Sequence, residues 1–281
     1  MISIYKFYRL DFCIRNLGLG FIAILSVSQF PPILKSALAI LQILLAQMYS
    51  FSMNNYYDTK VWGEENYAKE LMNKGFSDKA VWRLCALPLI LMLLTIPFSN
   101  ASYFLLILYQ ILFHLYQAPG FRYKDNYILS LIINSVCLGT ILFLYPFWFL
   151  ESRVTPIAVI LSVIFFFYLA FFELFHQVEH LGKDRIQSLP QIKGIPFTAK
   201  ASAACLLIAI AFALYGISMD PRGNFFLIGV LLFSSARIVV LLKSEKTQEL
   251  FRDLRNRKDR FFAIQEGLFF AFFLLMGKLW K

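Results

Sequence analysis

The sequence predicts an all-α membrane protein with about nine transmembrane helices and a cytoplasmic N-terminus, and three observations support this. Apolar residues make up 59% of the 281 residues and charged residues 16%, whereas soluble domains average roughly 45–50% and 25%. The apolar residues occur in blocks of about twenty, the helix length that crosses ~30 Å of hydrocarbon. Lys and Arg concentrate in alternate loops, as they do where those loops face the cytoplasm.

The predicted spans are continuous apolar runs without alternation, which favours helices over the strands of a barrel. We expect them to form a single transmembrane domain over residues 1–281. Their approximate limits are 12–30, 33–53, 80–98, 101–118, 126–148, 154–176, 199–218, 223–243 and 261–279.

The charge distribution sets the predicted orientation. With a cytoplasmic N-terminus, 21 of the 27 Lys and Arg residues lie inside, five lie outside, and Arg237 lies within a span. The formal net charge of +10 therefore reflects topology and attraction to the membrane surface. We expect a lipid bilayer and no nucleic acid among the partners.

The polar segments on the predicted cytoplasmic side are the places to look for chemistry, because loops carry function more often than the helices that they connect. They cover about 54–79, 116–126 and 177–198. The four cysteines are scattered without CxxC spacing, which predicts neither a disulfide framework nor a structural metal site.

The first polar segment, FSMNNYYDTKVWGEENY, contains Asn54, Asn55 and Asp58. Asn54 and Asp58 are four residues apart and share a helical face, and Trp62 extends that face by one turn. Glu65 returns to the face only if the helix continues through Gly63. An ordinary polar helix end is the alternative interpretation.

The second segment, FELFHQVEHLGKDRIQSLP, places Glu173, His176, Gln177 and His180 at three- and four-residue spacing, with Asp184 four residues further on. A polar stripe within a membrane helix is costly unless it lines a wet cavity. A helix that simply emerges into water explains the later residues equally well, but it explains Glu173 poorly because that residue lies in an aromatic run.

The third segment, LYQAPGFRYKDNY, contains a Pro-Gly turn followed by Arg122 and Lys124. These two cations either anchor the loop on the cytoplasmic side or lie beside a bound phosphate, where Arg supplies a planar fork and Lys a point charge.

Together the three segments resemble the UbiA superfamily of membrane prenyltransferases. NNYYD and the following ENYAKELMNKGFSDKA resemble the region that usually contains NDxxDxxxD, and YQAPGFRYK resembles the family's YSxPPxRLK segment. HQVEHLGKDRIQSLP resembles the second acidic motif, DxxxD. The segments occur in the family's order, after helices two, four and six of nine.

This resemblance implies a helical bundle around a central cavity that opens to lipid. It implies a transferase that moves an isoprenyl group from an allylic diphosphate to a lipophilic acceptor, with Mg²⁺ held by the two acidic motifs. The implied substrates are an isoprenyl diphosphate and that acceptor. We expect a multi-pass integral membrane protein that lies in the plasma membrane of a prokaryote.

The resemblance also assigns roles to residues. It predicts catalytic roles for Asp58, His180 and Asp184, and Mg²⁺ ligation by Asn54, Asp58 and Asp184. The residues predicted to bind the diphosphate are Asn54, Asn55, Tyr116, Arg122, Lys124 and Lys183.

The sequence departs from the family pattern at the metal ligands. Asn55 and Trp62 stand where the first motif usually has aspartates, and His180 replaces the first aspartate of the second motif. Imidazole suits zinc, copper or iron better than magnesium, so we expect a weakened Mg²⁺ site. Glu64, Glu65 and Glu179 are the carboxylates that could compensate by small shifts.

Two other functions remain open on the sequence. One is cyclisation of the isoprenoid itself, with His180 as proton acceptor, and the other is a non-catalytic lipid-binding or assembly role. A transporter is disfavoured because the spans show no inverted repeat and few charges near their centres.

Overall fold

A computed structural model describes residues 4–27, 30–179, 181, 188–220, 227–243, 272 and 274–276. Every regular element within these residues is helical. The α-helices are α1 (Ile4–Phe7), α2 (Leu10–Ser26), α3 (Ile33–Trp62), α4 (Tyr67–Asn73), α5 (Asp78–Leu93), α6 (Tyr103–Gln117), α7 (Tyr127–Asn134), α8 (Leu142–Glu151), α9 (Pro156–Glu179), α10 (Leu189–Lys193), α11 (Ile195–Met219) and α12 (Leu227–Lys243). Two 3₁₀ turns, Ile96–Phe98 and Tyr123–Asp125, and a π-helical turn, Ser135–Ile141, complete them.

Eight of the nine predicted spans coincide with helices, which confirms the predicted fold class. Five helical stretches are long and apolar enough to cross a membrane, and α6 and most of α12 are shorter apolar helices. The ninth predicted span, 261–279, lies almost entirely outside the described residues. The direction of insertion and the central cavity stay predictions. The five long stretches are Ile33–Trp62, Asp78–Phe98, Tyr127–Glu151, Pro156–Val178 and Ile195–Met219.

Helix α3 is longer than the hydrocarbon thickness. Its 30 residues span about 45 Å at ~1.5 Å per residue, more than the ~30 Å of hydrocarbon that a membrane helix must cross. The helix ends because Gly63 adopts a left-handed conformation (φ 67°) and donates its N–H to the Thr59 carbonyl at 2.9 Å. Glu65 therefore does not return to the Asn54–Asp58 face, and its side chain is exposed.

The segment after α3 folds back against it through Asn66. The Asn66 side chain caps α4, accepting hydrogen bonds from the Ala68 and Lys69 N–H groups at 2.9 and 3.3 Å. Its Nδ2 donates to the Asn55 carbonyl oxygen at 2.9 Å, and the Thr59 hydroxyl donates to its Oδ1 at 2.9 Å. One asparagine thus fixes the short α4 hairpin to the last turns of α3.

Three apolar cores hold the described part of the bundle together. The first combines buried side chains of α2, α8, α9, α11 and α12, the second combines α3 with α6, α7 and α8, and the third packs α1, α4 and α5 against the last turns of α3. The π-helical turn joins the first two by close backbone packing, because a Cβ on Gly139 would lie 2.6 Å from the Phe165 carbonyl oxygen. This packing brings the end of α3, the α6–α7 loop and the end of α9 to one end of the bundle.

Candidate active site

The last turns of α3 and the loop between α6 and α7 meet in a buried polar cluster. Asn54 Nδ2 donates to Asp58 Oδ2 at 3.0 Å, as their shared helical face predicts. Lys124 Nζ donates to Asn54 Oδ1 at 3.1 Å and to Asp58 Oδ1 over a shorter distance. The structure therefore joins the first and third sequence segments, whose residues are 66 to 70 positions apart.

A strained turn positions Arg122 in the same cluster. Arg122 has a positive φ of 43°, and the preceding Gly120 has a φ of 93°. Such a conformation in a residue with a Cβ costs of order 1 kcal/mol or more and is often found at functional sites. It places Arg122 Nη2 3.5 Å from Asp58 Oδ1, while Nε donates to Asp125 Oδ2 at 3.2 Å at the exposed rim.

Trp62 lies against both cations. The Arg122 guanidinium carbon is 3.9 Å from the centre of the Trp62 ring, and Lys124 Nζ is 5.0 Å from it. Both distances are within the ~6 Å range of a cation–π interaction. The sequence pattern marks Trp62 only as a missing ligand, whereas the structure makes it part of the cluster.

The buried part of the cluster carries more positive than negative charge. The side chains of Asp58, Arg122 and Lys124 are 8%, 10% and 6% exposed, so two cations share one buried carboxylate. Burial lowers the pKa of the Lys124 ammonium, while Asp58 and, less strongly, Glu64 oppose that shift. Such a surplus of buried cations favours the binding of an anion.

Arg122 also has unused hydrogen-bonding capacity. Neither Nη1 nor Nη2 has a hydrogen-bond partner among the described residues, although both are buried. A buried N–H group without a partner costs roughly 1–3 kcal/mol. The guanidinium is therefore prepared to donate to a bound oxyanion.

Two other predicted diphosphate-binding residues lie nearby with less direct roles. Asn55 is buried, its carbonyl oxygen is held by Asn66, and its Nδ2 has no partner in the described part of the chain. Tyr116 lies in the last turn of α6, where its hydroxyl accepts from Asn134 Nδ2 at 3.3 Å. Their roles in diphosphate binding stay predictions.

Three polar residues near the site were missed by sequence reasoning. Asn134 and Ser130 lie one turn apart on α7, and the Ser130 hydroxyl donates to Glu173 Oε1 of α9 at 3.4 Å. Gln117, the last residue of α6, is 1% exposed, and neither amide atom has a partner within the described ranges. A polar residue within an apolar helix is the sequence signal that could have identified them, and it was applied to Glu173 but not to these three.

The second acidic motif falls mostly outside the described residues, and this includes His180, Lys183 and Asp184. Its flanks are described. The Leu189 N–H at the start of α10 donates to Gln177 Oε1 near the end of α9 at 3.2 Å, and His176 is exposed. The contacts predicted for the three motif residues therefore stay predictions.

The described residues do not by themselves make a Mg²⁺ site. They contain no group of three or more His, Cys, Asp or Glu side chains arranged to hold a metal. The α3 half supplies one carboxylate, and Lys124 and Asn54 already contact its two oxygens. Magnesium binds through oxygen ligands, so it could bind the Asp58 carboxylate only if Lys124 moved away from it.

Comparisons with known proteins bear on this site. The model of the UbiA prenyltransferase family matches residues 17–264. No curated protein matches the chain. Among solved structures, a UbiA homolog from Archaeoglobus fulgidus superposes with a TM-score of 0.79 at 18% identity, with 98% of each chain covered.

Two further solved structures share the fold. A UbiA homolog from Archaeoglobus fulgidus bound to GPP and Mg²⁺ has a TM-score of 0.73 at 18% identity, covering 98% of this chain and 97% of that one. Digeranylgeranylglyceryl phosphate synthase has a TM-score of 0.76 at 19% identity, covering 99% and 98%. The family match extends over most of the 281 residues, and the chain belongs to the UbiA prenyltransferase family.

Proposed function

We propose that this protein is a membrane prenyltransferase that transfers an isoprenyl group from an allylic diphosphate to a lipophilic acceptor. One observation carries the proposal: Asp58 and Asn54 of α3 meet Arg122 and Lys124 in a buried cluster with a surplus of cations. A diphosphate is a dense anion that suits such a cluster. The apolar helices that surround it suit an isoprenyl tail.

The proposed chemistry follows from where charge develops. The bond between the allylic carbon and the diphosphate oxygen breaks, and its electron pair leaves with the diphosphate. The allylic carbocation then bonds to a nucleophilic atom of the acceptor, which loses a proton. Arg122 and Lys124 stabilise the departing diphosphate, because preorganised cations in a poorly solvated site act most strongly on charge that develops in the transition state.

We propose a weak dependence on Mg²⁺. A relative with the same fold was solved with GPP and Mg²⁺, and Asn54, Asp58 and Asp184 are the ligands predicted here. Asp58 is the one carboxylate from this set within the described residues, and it is already paired with Lys124. The protein's cations therefore supply much of the charge that opposes the diphosphate.

The long apolar helices and the family support a location in a membrane. The chain is a multi-pass integral membrane protein, and we propose the plasma membrane of a prokaryote with the site on the cytoplasmic side. An acceptor that is lipophilic reaches the site from the bilayer.

The test is diphosphate release by the purified protein in detergent or lipid. Allylic diphosphates of several chain lengths are incubated with and without Mg²⁺, and with and without an extract of membrane lipids as acceptor. Release that requires the acceptor supports transfer. Release with a hydrocarbon product and no acceptor supports a cyclase instead. No release from any diphosphate by a folded protein that binds the tail refutes both enzymatic functions.

Variants of the predicted residues locate the site. We expect Asp58→Ala, Asp184→Ala and Arg122→Ala each to reduce turnover by orders of magnitude, and wild-type rates in Asp58→Ala would show that the site is misplaced. His180→Asp restores a carboxylate at the second motif. Tighter Mg²⁺ binding in that variant indicates a weakened metal site, whereas loss of all activity indicates a separate role for His180.

A further inference from the structure

The indole of Trp62 lies beside two cations, at a position where the first motif usually has a carboxylate. Trp62 is the last residue of α3 and lies one helical turn beyond Asp58, on the face that contains Asn54. The resemblance of the first motif implies a carboxylate there. The structure instead has an aromatic ring within 3.9 Å of the Arg122 guanidinium carbon and 5.0 Å of Lys124 Nζ.

Electrostatics explains why a ring at this position stabilises the cluster. Arg122 and Lys124 repel each other, and each lowers the stability of the other's charged form in a buried site. Asp58 supplies one buried negative charge for both, while the exposed Asp125 pairs with Arg122 at the rim. The negative face of an aromatic ring attracts a cation, so Trp62 reduces the repulsion without adding a formal charge.

The ring also leaves the cations available for a ligand. A carboxylate at position 62 would accept hydrogen bonds from Arg122 or Lys124 and would neutralise one of them. A ring face contacts the flat guanidinium without accepting its in-plane N–H bonds. This agrees with the buried Nη1 and Nη2 of Arg122, which have no hydrogen-bond partner among the residues described.

From these contacts we infer that Trp62 is a positioning residue that substitutes for a metal ligand at the first motif. It holds Arg122 and Lys124 so that the protein's own cations, rather than Mg²⁺ bound to α3, contact the diphosphate. The inference rests on the proposed function for the identity of the anion. It predicts that the site binds a diphosphate group in the absence of divalent metal.

The test measures binding of inorganic pyrophosphate to the purified full-length protein by isothermal titration calorimetry, in EDTA and in Mg²⁺. Three variants separate the contributions of the ring. Trp62→Phe keeps an aromatic face, Trp62→Leu keeps apolar bulk without one, and Trp62→Asp introduces the carboxylate of the family pattern. Trp82→Leu is the matched control, because Trp82 is an exposed tryptophan of α5, and among the described residues the ring that both cations lie over is that of Trp62.

We expect wild type and Trp82→Leu to bind pyrophosphate equally in EDTA. Trp62→Leu should bind about tenfold more weakly, the loss expected for a partly desolvated cation–π contact, and Trp62→Phe should bind with an intermediate affinity. Trp62→Asp should lose binding in EDTA and regain it in Mg²⁺. Thermal unfolding and size-exclusion profiles of each variant establish that folding is intact.

Three results would overturn the inference: pyrophosphate binding by wild type only with Mg²⁺, equal binding by wild type and Trp62→Leu in EDTA, or no binding in either condition. Turnover of allylic diphosphates by the same preparations tests the proposed function separately. Mg²⁺-dependent turnover that is unchanged in Trp62→Leu would leave the proposed function standing and remove the role of Trp62. Pyrophosphate binding in EDTA that weakens across the Trp62 variants as expected, without turnover of any allylic diphosphate, would support the role of Trp62 and remove the proposed function.

Discussion

Replacement of Asp58 by alanine would leave two buried cations without their shared counter-ion. Lys124 and Arg122 are 6% and 10% exposed in their side chains, so water screens them little. Removal of one partner from a buried ion pair costs about 3–5 kcal/mol. Trp62 and Asp125 still contact the cations after the change, so we expect the free energy of unfolding to fall by about 3 kcal/mol.

The assay is reversible unfolding in mixed micelles, followed by circular dichroism. A second variant, Asp58→Ala with Lys124→Met, removes the stranded ammonium and should recover about 2 kcal/mol through the coupling of two contacting residues. Glu70→Ala is the matched control, because Glu70 pairs with Lys74 at 3.0 Å on an exposed surface. Exposed helical pairs contribute about 0.3–0.5 kcal/mol.

A loss of stability in Asp58→Ala no larger than that in Glu70→Ala would contradict this expectation. Asp58 would then not be buried against two cations. Failure of Lys124→Met to restore stability would refute the assignment of Lys124 as the main partner, since Lys124 Nζ is closer to Asp58 Oδ1 than Arg122 Nη2 is.

Three further predictions concern the site and the packing around it. Arg122→Lys should lower turnover by at least tenfold with little change in the thermal midpoint, because an ammonium lacks the planar fork; wild-type turnover would contradict this. Gly139→Ala should destabilise the protein by about 1–3 kcal/mol through collision with the Phe165 carbonyl, whereas Gly18→Ala, with nothing within 4 Å, is the control. Gln42→Leu should cost about 1–3 kcal/mol, because it removes the acceptor of the buried Tyr145 hydroxyl and the donor to Thr95 and Ser99; unchanged stability would show that this network contributes nothing.

The helical membrane fold was predictable because it depends on local properties of the chain. The length and hydropathy of an apolar run decide whether it can cross a bilayer as a helix. Eight of the nine predicted spans accordingly match helices of the structure. Their exact ends were less predictable, as shown by α2, which ends at Ser26, whereas the predicted span extended to residue 30.

Part of the candidate site was also predictable from residues close together in the sequence. The four-residue spacing of Asn54 and Asp58 places both on one face of α3, and their side chains do form a hydrogen bond. The Pro-Gly turn before Arg122 indicated a loop, and the resemblance to the family indicated that Arg122 and Lys124 bind a diphosphate. None of these patterns specifies which carboxylate the two cations contact.

The amino-acid sequence is enough to predict the fold class, the family resemblance and the residue types available for a diphosphate site. It does not predict that Lys124 and Arg122 share Asp58 or that both lie against the ring of Trp62, which the folded structure shows. Helix formation and membrane insertion depend on neighbouring residues, whereas a cation–π contact depends on the packing of segments some sixty residues apart. In the sequence pattern Trp62 is a missing metal ligand, whereas in the folded protein its ring contacts Arg122 and Lys124.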